Sequence, residues 1–140
     1  MQRDPLKGNL FENMVVMEAM KNRLNAGRDP RLYFYRDNHG HEVDLIWDNQ
    51  RKLTPIEIKA GQTWQGSFLK GIEYFEKTKA ETHTPYVIYA GSQERRSKKY
   101  KLLHYFKTED VFFVQQLKPV FMLFDVFALA YLMTLSTLYF

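Results

Sequence analysis

Residues 42–61 read EVDLIWDNQRKLTPIEIKAG, in which two runs with apolar residues at alternate positions flank the polar segment 48–51. The alternating apolar residues are Val43, Leu45 and Trp47 in the first run and Ile56 and Ile58 in the second. A period of two residues is typical of β-strands. Because Asp and Asn in the polar segment favour a turn, the sequence predicts two neighbouring strands, with Pro55 near the beginning or at an edge of the second.

The segments before this run predict a helix and another strand. Apolar residues recur at three- and four-residue spacing over residues 9–25, which predicts an amphipathic helix with Asn9 as its N-cap. The residues expected on its apolar face are Leu10, Met14, Met17 and Leu24, with Phe11 and Val15 beside them. The aromatic run 31–36 has strand composition, and the turn at 37–40 predicts that it pairs with the next strand as a hairpin.

The segments after this run complete an α/β domain. Ser67 can cap a helix whose apolar residues face the core. The residues expected to face the core are Phe68, Leu69, Ile72 and Phe75. Two further strands are predicted at 85–91 and 100–106. The order of helix, three strands, helix and two strands predicts an α/β fold in which a mixed sheet carries helices on its faces.

Length and composition restrict the classes of function. A chain of 140 residues with 45% hydrophobic and 26% charged residues is typical of one globular domain. The chain has no cysteine, which excludes a disulfide framework, a thiolate zinc site and a thiol nucleophile, and it lacks the Gly-x4-Gly-Lys-Ser/Thr loop of common ATPases. The net charge of +4 permits an anionic partner, and residues 1–8 do not read as a secretion signal, which favours the cytoplasm.

Three ionisable residues on the two central strands, Asp44, Glu57 and Lys59, form the candidate site. Glu57 and Lys59 share a strand face, and a paired strand brings Asp44 beside them. Mg²⁺ prefers oxygen ligands, which the two carboxylates and the carbonyl group of Ile58 can supply. With Lys59 next to the attacking water, such a site suits phosphodiester hydrolysis. The structural alternative is a Glu57–Lys59 ion pair on an exposed strand face, worth about 0 to 1 kcal/mol.

The same residues lie in motifs that resemble those of a known superfamily. The runs GNLFEN (8–13), EVDLI (42–46) and PIEIKAG (55–61) resemble the PD-(D/E)xK nuclease superfamily. More narrowly, they resemble the uncharacterised domain found at the C-terminus of predicted prokaryotic AAA-type ATPases. The likeness extends from about Gly8 through the strand at Tyr100. It implies a restriction-endonuclease-like fold with an αβββαβ core plus a further strand.

The resemblance also implies roles for individual residues and partners. Glu12, Asp44 and Glu57 correspond to metal ligands, and Lys59 corresponds to the catalytic lysine. The implied cofactor is Mg²⁺ or Mn²⁺, and the implied substrate is DNA. Members of the narrower family carry a nucleotide-binding module ahead of this domain. We therefore expect the ATPase module in a separate or missing segment, with this chain as a detached C-terminal piece.

A basic segment follows the predicted strand at 85–91. Its cationic residues are Arg95, Arg96, Lys98, Lys99 and Lys101. Such a cluster can lie along a phosphate backbone and bind nucleic acid, but it can equally be a solvated loop. A separate pair, His39 and His41, has metal-ligand spacing but no third ligand nearby in sequence, which favours turn residues.

The end of the chain, residues 119–140, contains Asp125 as its single charged residue. As a helix, about 22 residues would span roughly 33 Å, enough for a hydrocarbon layer of about 30 Å. A membrane anchor, an interface helix and a tail read in a shifted frame are the three interpretations. Lys107 and Lys118 on its N-terminal side would keep the domain, residues 1–118, in the cytoplasm.

The sequence therefore predicts a Mg²⁺-dependent, nuclease-like domain that binds DNA and acts on phosphodiesters. The alternatives are a non-catalytic module that recognises DNA or a protein partner, and a truncated remnant of an ATPase of this kind.

Overall fold

The computed structural model describes residues 5–49 and 51–113. By its contacts the chain divides after residue 109, and the whole sheet lies before that division. The helices are α1 (Pro5–Asn25), α2 (Lys70–Glu76) and α3 (Thr108–Phe113), with 3-10 helices at Gly66–Leu69 and Tyr105–Lys107. The strands are β1 (Leu32–Arg36), β2 (Glu42–Asn49), β3 (Lys52–Lys59), β4 (Tyr86–Tyr89), β5 (Arg95–Arg96) and β6 (Lys101–His104).

The described strands form one six-stranded mixed sheet in the order β1-β2-β3-β4-β6-β5. The pairs β1–β2, β2–β3 and β5–β6 are antiparallel, whereas β3–β4 and β4–β6 are parallel. A parallel pair needs a connection that returns the chain to the other end of the sheet, and α2 with its preceding 3-10 helix lies in the connection between β3 and β4. The predicted mixed α/β architecture is confirmed.

The core on the α2 side of the sheet matches the predicted helix pattern. Three of the four residues expected to face the core, Phe68, Ile72 and Phe75, are buried. Phe68 and Ile72 pack in a cluster with Val87, Tyr89, Tyr100 and Leu102, and Phe75 packs with Val43 and Ile46. The fourth, Leu69, is partly buried against the first cluster. Apolar spacing therefore predicted the buried face of α2 correctly.

The buried face of α1 matches the sequence prediction at Val15 and differs from it elsewhere. Val15, Ala19 and Arg23 are buried. The predicted core residues Leu10, Met14, Met17 and Leu24 are exposed. Both sets recur at helical spacing, and the small side chains of Val15 and Ala19 allow the helix backbone to approach the sheet closely. Arg23 is accommodated because its guanidinium lies over the ring of Trp47, with 5.2 Å to the centroid, and donates a 3.0 Å hydrogen bond to the carbonyl oxygen of Asp29.

The two ends of α1 have different determinants. The described part of this helix starts at Pro5, a residue type that is favoured in the first turn of a helix. Asn9 therefore lies inside the helix and is not its N-cap, and Glu12 lies beyond the first turn. At the other end, Gly27 has a φ of +65° and its N–H donates to the carbonyl oxygen of Leu24 at 2.9 Å. Glycine tolerates this left-handed conformation, which ends the helix.

Other boundaries also differ from the sequence prediction. Ser67 does not cap the second helix, because a 3-10 helix begins at Gly66 and makes no side-chain capping bond. The strand predicted at 100–106 is β6 followed by a 3-10 helix. The short strand β5 was not predicted, because two arginines have no apolar alternation.

The predicted apolar tail, residues 119–140, lies outside the described residues, so the structure does not bear on its three interpretations. Over 5–49 and 51–113, no helix combines the length and the hydropathy needed to cross a membrane.

Candidate functional site

A β-bulge in β2 places Asp44. Tyr33 of β1 pairs with Ile46, but Tyr35, two residues later, pairs with Val43, three residues away on β2. The extra residue lies in the segment that contains Asp44. A bulge of this kind interrupts the alternation of side chains and turns one of them in a new direction.

Asp44 connects β2 to β3 through its side chain. The main-chain register of β2 with β3 runs to the pair Leu45–Ile56. One further step would place Asp44 opposite Glu57. Here the Oδ2 atom of Asp44 accepts a hydrogen bond of 2.7 Å from the backbone N–H of Ile58. The carboxylate is therefore held against the β3 backbone.

Lys59 contacts both carboxylates. Its Nζ atom lies 2.9 Å from Asp44 Oδ2 and 2.5 Å from Glu57 Oε2. The side chain of Glu57 is 4% exposed, that of Asp44 15% and that of Lys59 30%. The structure thus brings Asp44, Glu57 and Lys59 together, with one ammonium group between two acidic groups at the boundary between protein and solvent.

The pKa values within this cluster respond to burial and to the neighbouring charges. Burial, and then the negative charge of Asp44, raises the pKa of Glu57 from 4.5 to about 8, although Lys59 acts in the opposite direction. Burial alone would lower the pKa of Lys59, but the charges of Asp44 and Glu57 outweigh burial and raise it. The lysine therefore stays charged, while Glu57 holds a proton more tightly than an exposed glutamate does.

The pKa of Glu12, in α1, is influenced by the same cluster. Burial raises the pKa of its carboxyl group, the charge of Asp44 raises it further, and Lys59 lowers it. Within the described ranges, no hydrogen bond or ion pair connects Glu12 to the three clustered residues. In the same part of the chain, no three His, Cys, Asp or Glu side chains lie together in a way that could hold a metal ion. Glu12, the expected third carboxylate, is thus close enough for the charges of Asp44 and Lys59 to change its pKa, but it does not contact the cluster.

The predicted backbone ligand, Ile58, reaches the cluster through its N–H group. Because the N–H and C=O groups of one strand residue point to the same side, the carbonyl group of Ile58 also points towards the β2 side. The main-chain register of β2 with β3 ends before this residue, at the pair Leu45–Ile56.

The basic residues lie elsewhere on the sheet. Strand β5, with exposed Arg95 and Arg96, is separated from β3 by β6 and β4. Lys98 and Lys99 are exposed in the loop that follows. Arg95 donates to the hydroxyl of Tyr100 at 3.2 Å, and Lys101 donates to that of Tyr86 at 3.0 Å. Among the residues that the structure describes, none of these five cations forms an ion pair with an acidic residue, so their positive charge is uncompensated by a direct partner.

His39 and His41 lie at the β1–β2 turn, as their sequence context indicates. The carboxylate of Asp37 accepts hydrogen bonds from the backbone N–H groups of both histidines at 2.8 Å and contacts Nδ1 of His41 at 2.6 Å. The ring of His41 also stacks on Tyr74 of α2, with 3.5 Å between centroids. These contacts give both histidines a role in the turn.

Gly71, a residue of α2 that lies against Glu57, was not identified from the sequence. A Cβ atom added at this position would overlap the Oε1 atom of Glu57 and the carbonyl oxygen of Glu42. A glycine inside a predicted helix was the available signal, because glycine is a poor helix former and needs a separate explanation there.

Comparison with known protein families gives a match that covers most of the chain. The family model described as Domain of unknown function (DUF4143) matches residues 7–110. That range contains the whole described sheet together with Glu12, Asp44, Glu57 and Lys59. No curated protein and no solved structure matches the chain.

Proposed function

The chain belongs to the DUF4143 family, an uncharacterised domain found in AAA-ATPase-associated proteins, and from this premise we propose a Mg²⁺-dependent nuclease-like active site at Asp44, Glu57 and Lys59. The substrate is the phosphodiester backbone of DNA. The observation that carries the proposal is the position of Lys59, whose ammonium group contacts both carboxylates at 2.9 and 2.5 Å.

The donor set fits a hard divalent cation. Two carboxyl groups from adjacent strands share one ammonium partner. The backbone carbonyl group of Ile58 points towards β2, the strand that carries Asp44. Mg²⁺ is usually bound by one or two carboxylates, with waters and substrate oxygens completing its shell. The raised pKa of Glu57 supports the same assignment, because the repulsion from Asp44 that contributes to it would be relieved by a cation.

Each residue has a defined task in the proposed site. Asp44 and Glu57 hold the cation, with the carbonyl oxygen of Ile58 as a further ligand and Glu12 adding negative charge from α1. When bound, Mg²⁺ supplies charge neutralisation at the phosphate and makes water a better nucleophile. Lys59 orients the attacking water and stabilises negative charge that develops on the phosphate oxygens. Its raised pKa keeps it protonated for this task.

The order of the elements supports the finer assignment of the fold. The succession α1, β1, β2, β3, α2 and β4 corresponds to the αβββαβ core of the restriction-endonuclease-like fold, and β6 is the further strand. The candidate ligands lie on β2 and β3, the two strands of the antiparallel pair at the centre of that core. We propose that the chain adopts this fold and works with an AAA-type ATPase module.

The exposed cations at the β5 edge supply a candidate DNA contact. Arg96, Lys98 and Lys99 have no ion-pair partner in the described part of the chain, and all three are exposed. Free surface cations of this kind can neutralise backbone phosphates without reading the sequence of bases.

A non-catalytic interaction module is the second candidate function. It is favoured by the contacts of Lys59, whose ammonium group already pairs with both carboxylates. In addition, among the described residues no three His, Cys, Asp or Glu side chains form a group that could hold a metal ion. In that case the cluster is a buried ion-pair network that stabilises the junction of β2 with β3.

Calorimetric titration of Mg²⁺ and Mn²⁺ into the full chain separates the two functions. The parent protein should bind one cation, and Glu57→Gln should weaken binding by about 10- to 100-fold, because the amide cannot become a negatively charged ligand. Glu76→Gln, at an exposed position of α2, is the matched control and should leave binding unchanged. If the parent shows no saturable binding, the metal site is refuted and the interaction module is favoured.

A further inference from the structure

The helix α2 contains a glycine at its second residue, Gly71. In a helix, glycine is less favourable than alanine, because its backbone loses more freedom on folding. Its backbone does not require glycine, since the glycines with positive φ in the described chain are Gly27 and Gly40. The reason for a glycine at this position must therefore lie in what surrounds it.

The surroundings of Gly71 leave no room for a side chain. A Cβ atom at this position would overlap Glu57 Oε1 and the carbonyl oxygen of Glu42. The first turn of α2 thus lies directly against the carboxyl group of Glu57. The other oxygen of that group, Oε2, contacts Lys59 at 2.5 Å. The carboxyl group is held between the helix backbone on one side and the ammonium group on the other.

We infer that Gly71 is a positioning residue of the candidate site. By omitting a side chain, it admits the carboxyl group of Glu57 to the space beside α2, from which the group reaches Lys59. Any larger residue would displace the carboxyl group or lift α2 from β2 and β3. The consequence for metal binding rests on the proposed function, whereas the steric relationship between Gly71 and Glu57 does not.

Alanine substitutions at three glycines test the inference. Gly71→Ala should weaken Mg²⁺ binding by about 10-fold or more, a loss comparable to that caused by removing a residue that orients a metal ligand. Gly8→Ala and Gly66→Ala are matched controls, because a Cβ atom at either position would meet nothing within 4 Å. Both controls should bind Mg²⁺ like the parent, and the circular dichroism spectra of all three variants should show a folded chain.

Shortening Glu57 distinguishes the steric effect from a general loss of packing. Glu57→Asp shortens the side chain by one methylene group, so its carboxyl group lies farther from Gly71. The double variant Gly71→Ala/Glu57→Asp should therefore bind Mg²⁺ more tightly than Gly71→Ala alone. The decrease in melting temperature caused by Gly71→Ala should also be smaller in the Glu57→Asp background, although the overlap with Glu42 remains.

The outcomes separate this inference from the proposed function. If Gly71→Ala lowers the melting temperature equally in both backgrounds, or if the parent binds Mg²⁺ and Gly71→Ala binds it equally well, the positioning role is overturned. If the parent binds no Mg²⁺ but the melting temperatures show the expected coupling, the proposed metal site fails while Gly71 still positions Glu57 for its contact with Lys59.

Discussion

Asp44 Oδ2 accepts a 2.7 Å hydrogen bond from the backbone N–H of Ile58, so a side chain of β2 binds the backbone of β3 where their main-chain register has ended. The same oxygen lies 2.9 Å from Lys59 Nζ. Asp44 Oδ2 therefore has two partners: the backbone of Ile58, which connects the strands, and Lys59, which belongs to the candidate site. This double role makes Asp44 a position where stability and function can be separated by the choice of substitution.

Asp44→Ala should destabilise the fold more than Asp44→Asn. Alanine leaves the N–H of Ile58 without its acceptor, and hydrogen bonds to charged groups contribute about 1.5 to 3 kcal/mol. Asparagine keeps an acceptor oxygen for Ile58 but loses the charge that faces Lys59. Urea unfolding of the two variants measures the difference. Equal losses would mean that the Ile58 hydrogen bond contributes little to stability.

Lys59→Ala should separate metal binding from cleavage. Lys59→Ala removes the ammonium group that competes with a cation for the oxygens of Asp44 and Glu57, so Mg²⁺ affinity should equal or exceed that of the parent. Cleavage of a DNA substrate should fall by roughly 100-fold, the usual cost of losing one transition-state stabiliser. A variant that cleaves as fast as the parent would reject the catalytic role of Lys59, as would cleavage that falls only because Mg²⁺ no longer binds.

The stability of the metal-free chain should depend on the protonation of Glu57. The pKa of this group is raised from 4.5 to about 8 in the folded chain, so the folded state binds more protons than the unfolded state between these values. The contribution of Glu57 to stability is therefore fully present below pH 4.5 and is lost as the pH rises through about 8. Melting temperatures from pH 5 to 9 should decline less steeply for Glu57→Gln than for the parent. Parallel pH profiles for the two proteins would contradict the assignment.

Neutralising the β5 edge should weaken DNA binding and its dependence on salt. Each backbone phosphate contact contributes about 0.9 to the slope of log K against log salt concentration for duplex DNA. The triple substitution of Arg96, Lys98 and Lys99 by alanine should therefore lower the magnitude of this slope by up to about 2.7. Fluorescence anisotropy at several salt concentrations measures it. Arg28→Ala, at an exposed position just after α1, is the control and should leave the slope unchanged.

The strands around the candidate site were predictable because each follows from local alternation. The pattern in residues 42–61 located β2 and β3, and two-residue spacing put Glu57 and Lys59 on one strand face. The direction of Asp44 was harder to predict, because it depends on the bulge opposite β1. A bulge arises from how two paired strands fit each other, and alternation within either strand alone does not reveal it.

The sequence alone determined the mixed α/β class, the central strands and the residue types of the candidate site, because these depend on periodicity and on the chemistry of individual side chains. Three features required the folded chain: the burial of Ala19 and Arg23 on α1, the bulge that turns Asp44 towards the backbone N–H of Ile58, and the approach of Gly71 to Glu57. Each of these depends on which surfaces of distant segments meet. That choice is made by packing, where the bulk of a side chain on one element limits how closely another can approach.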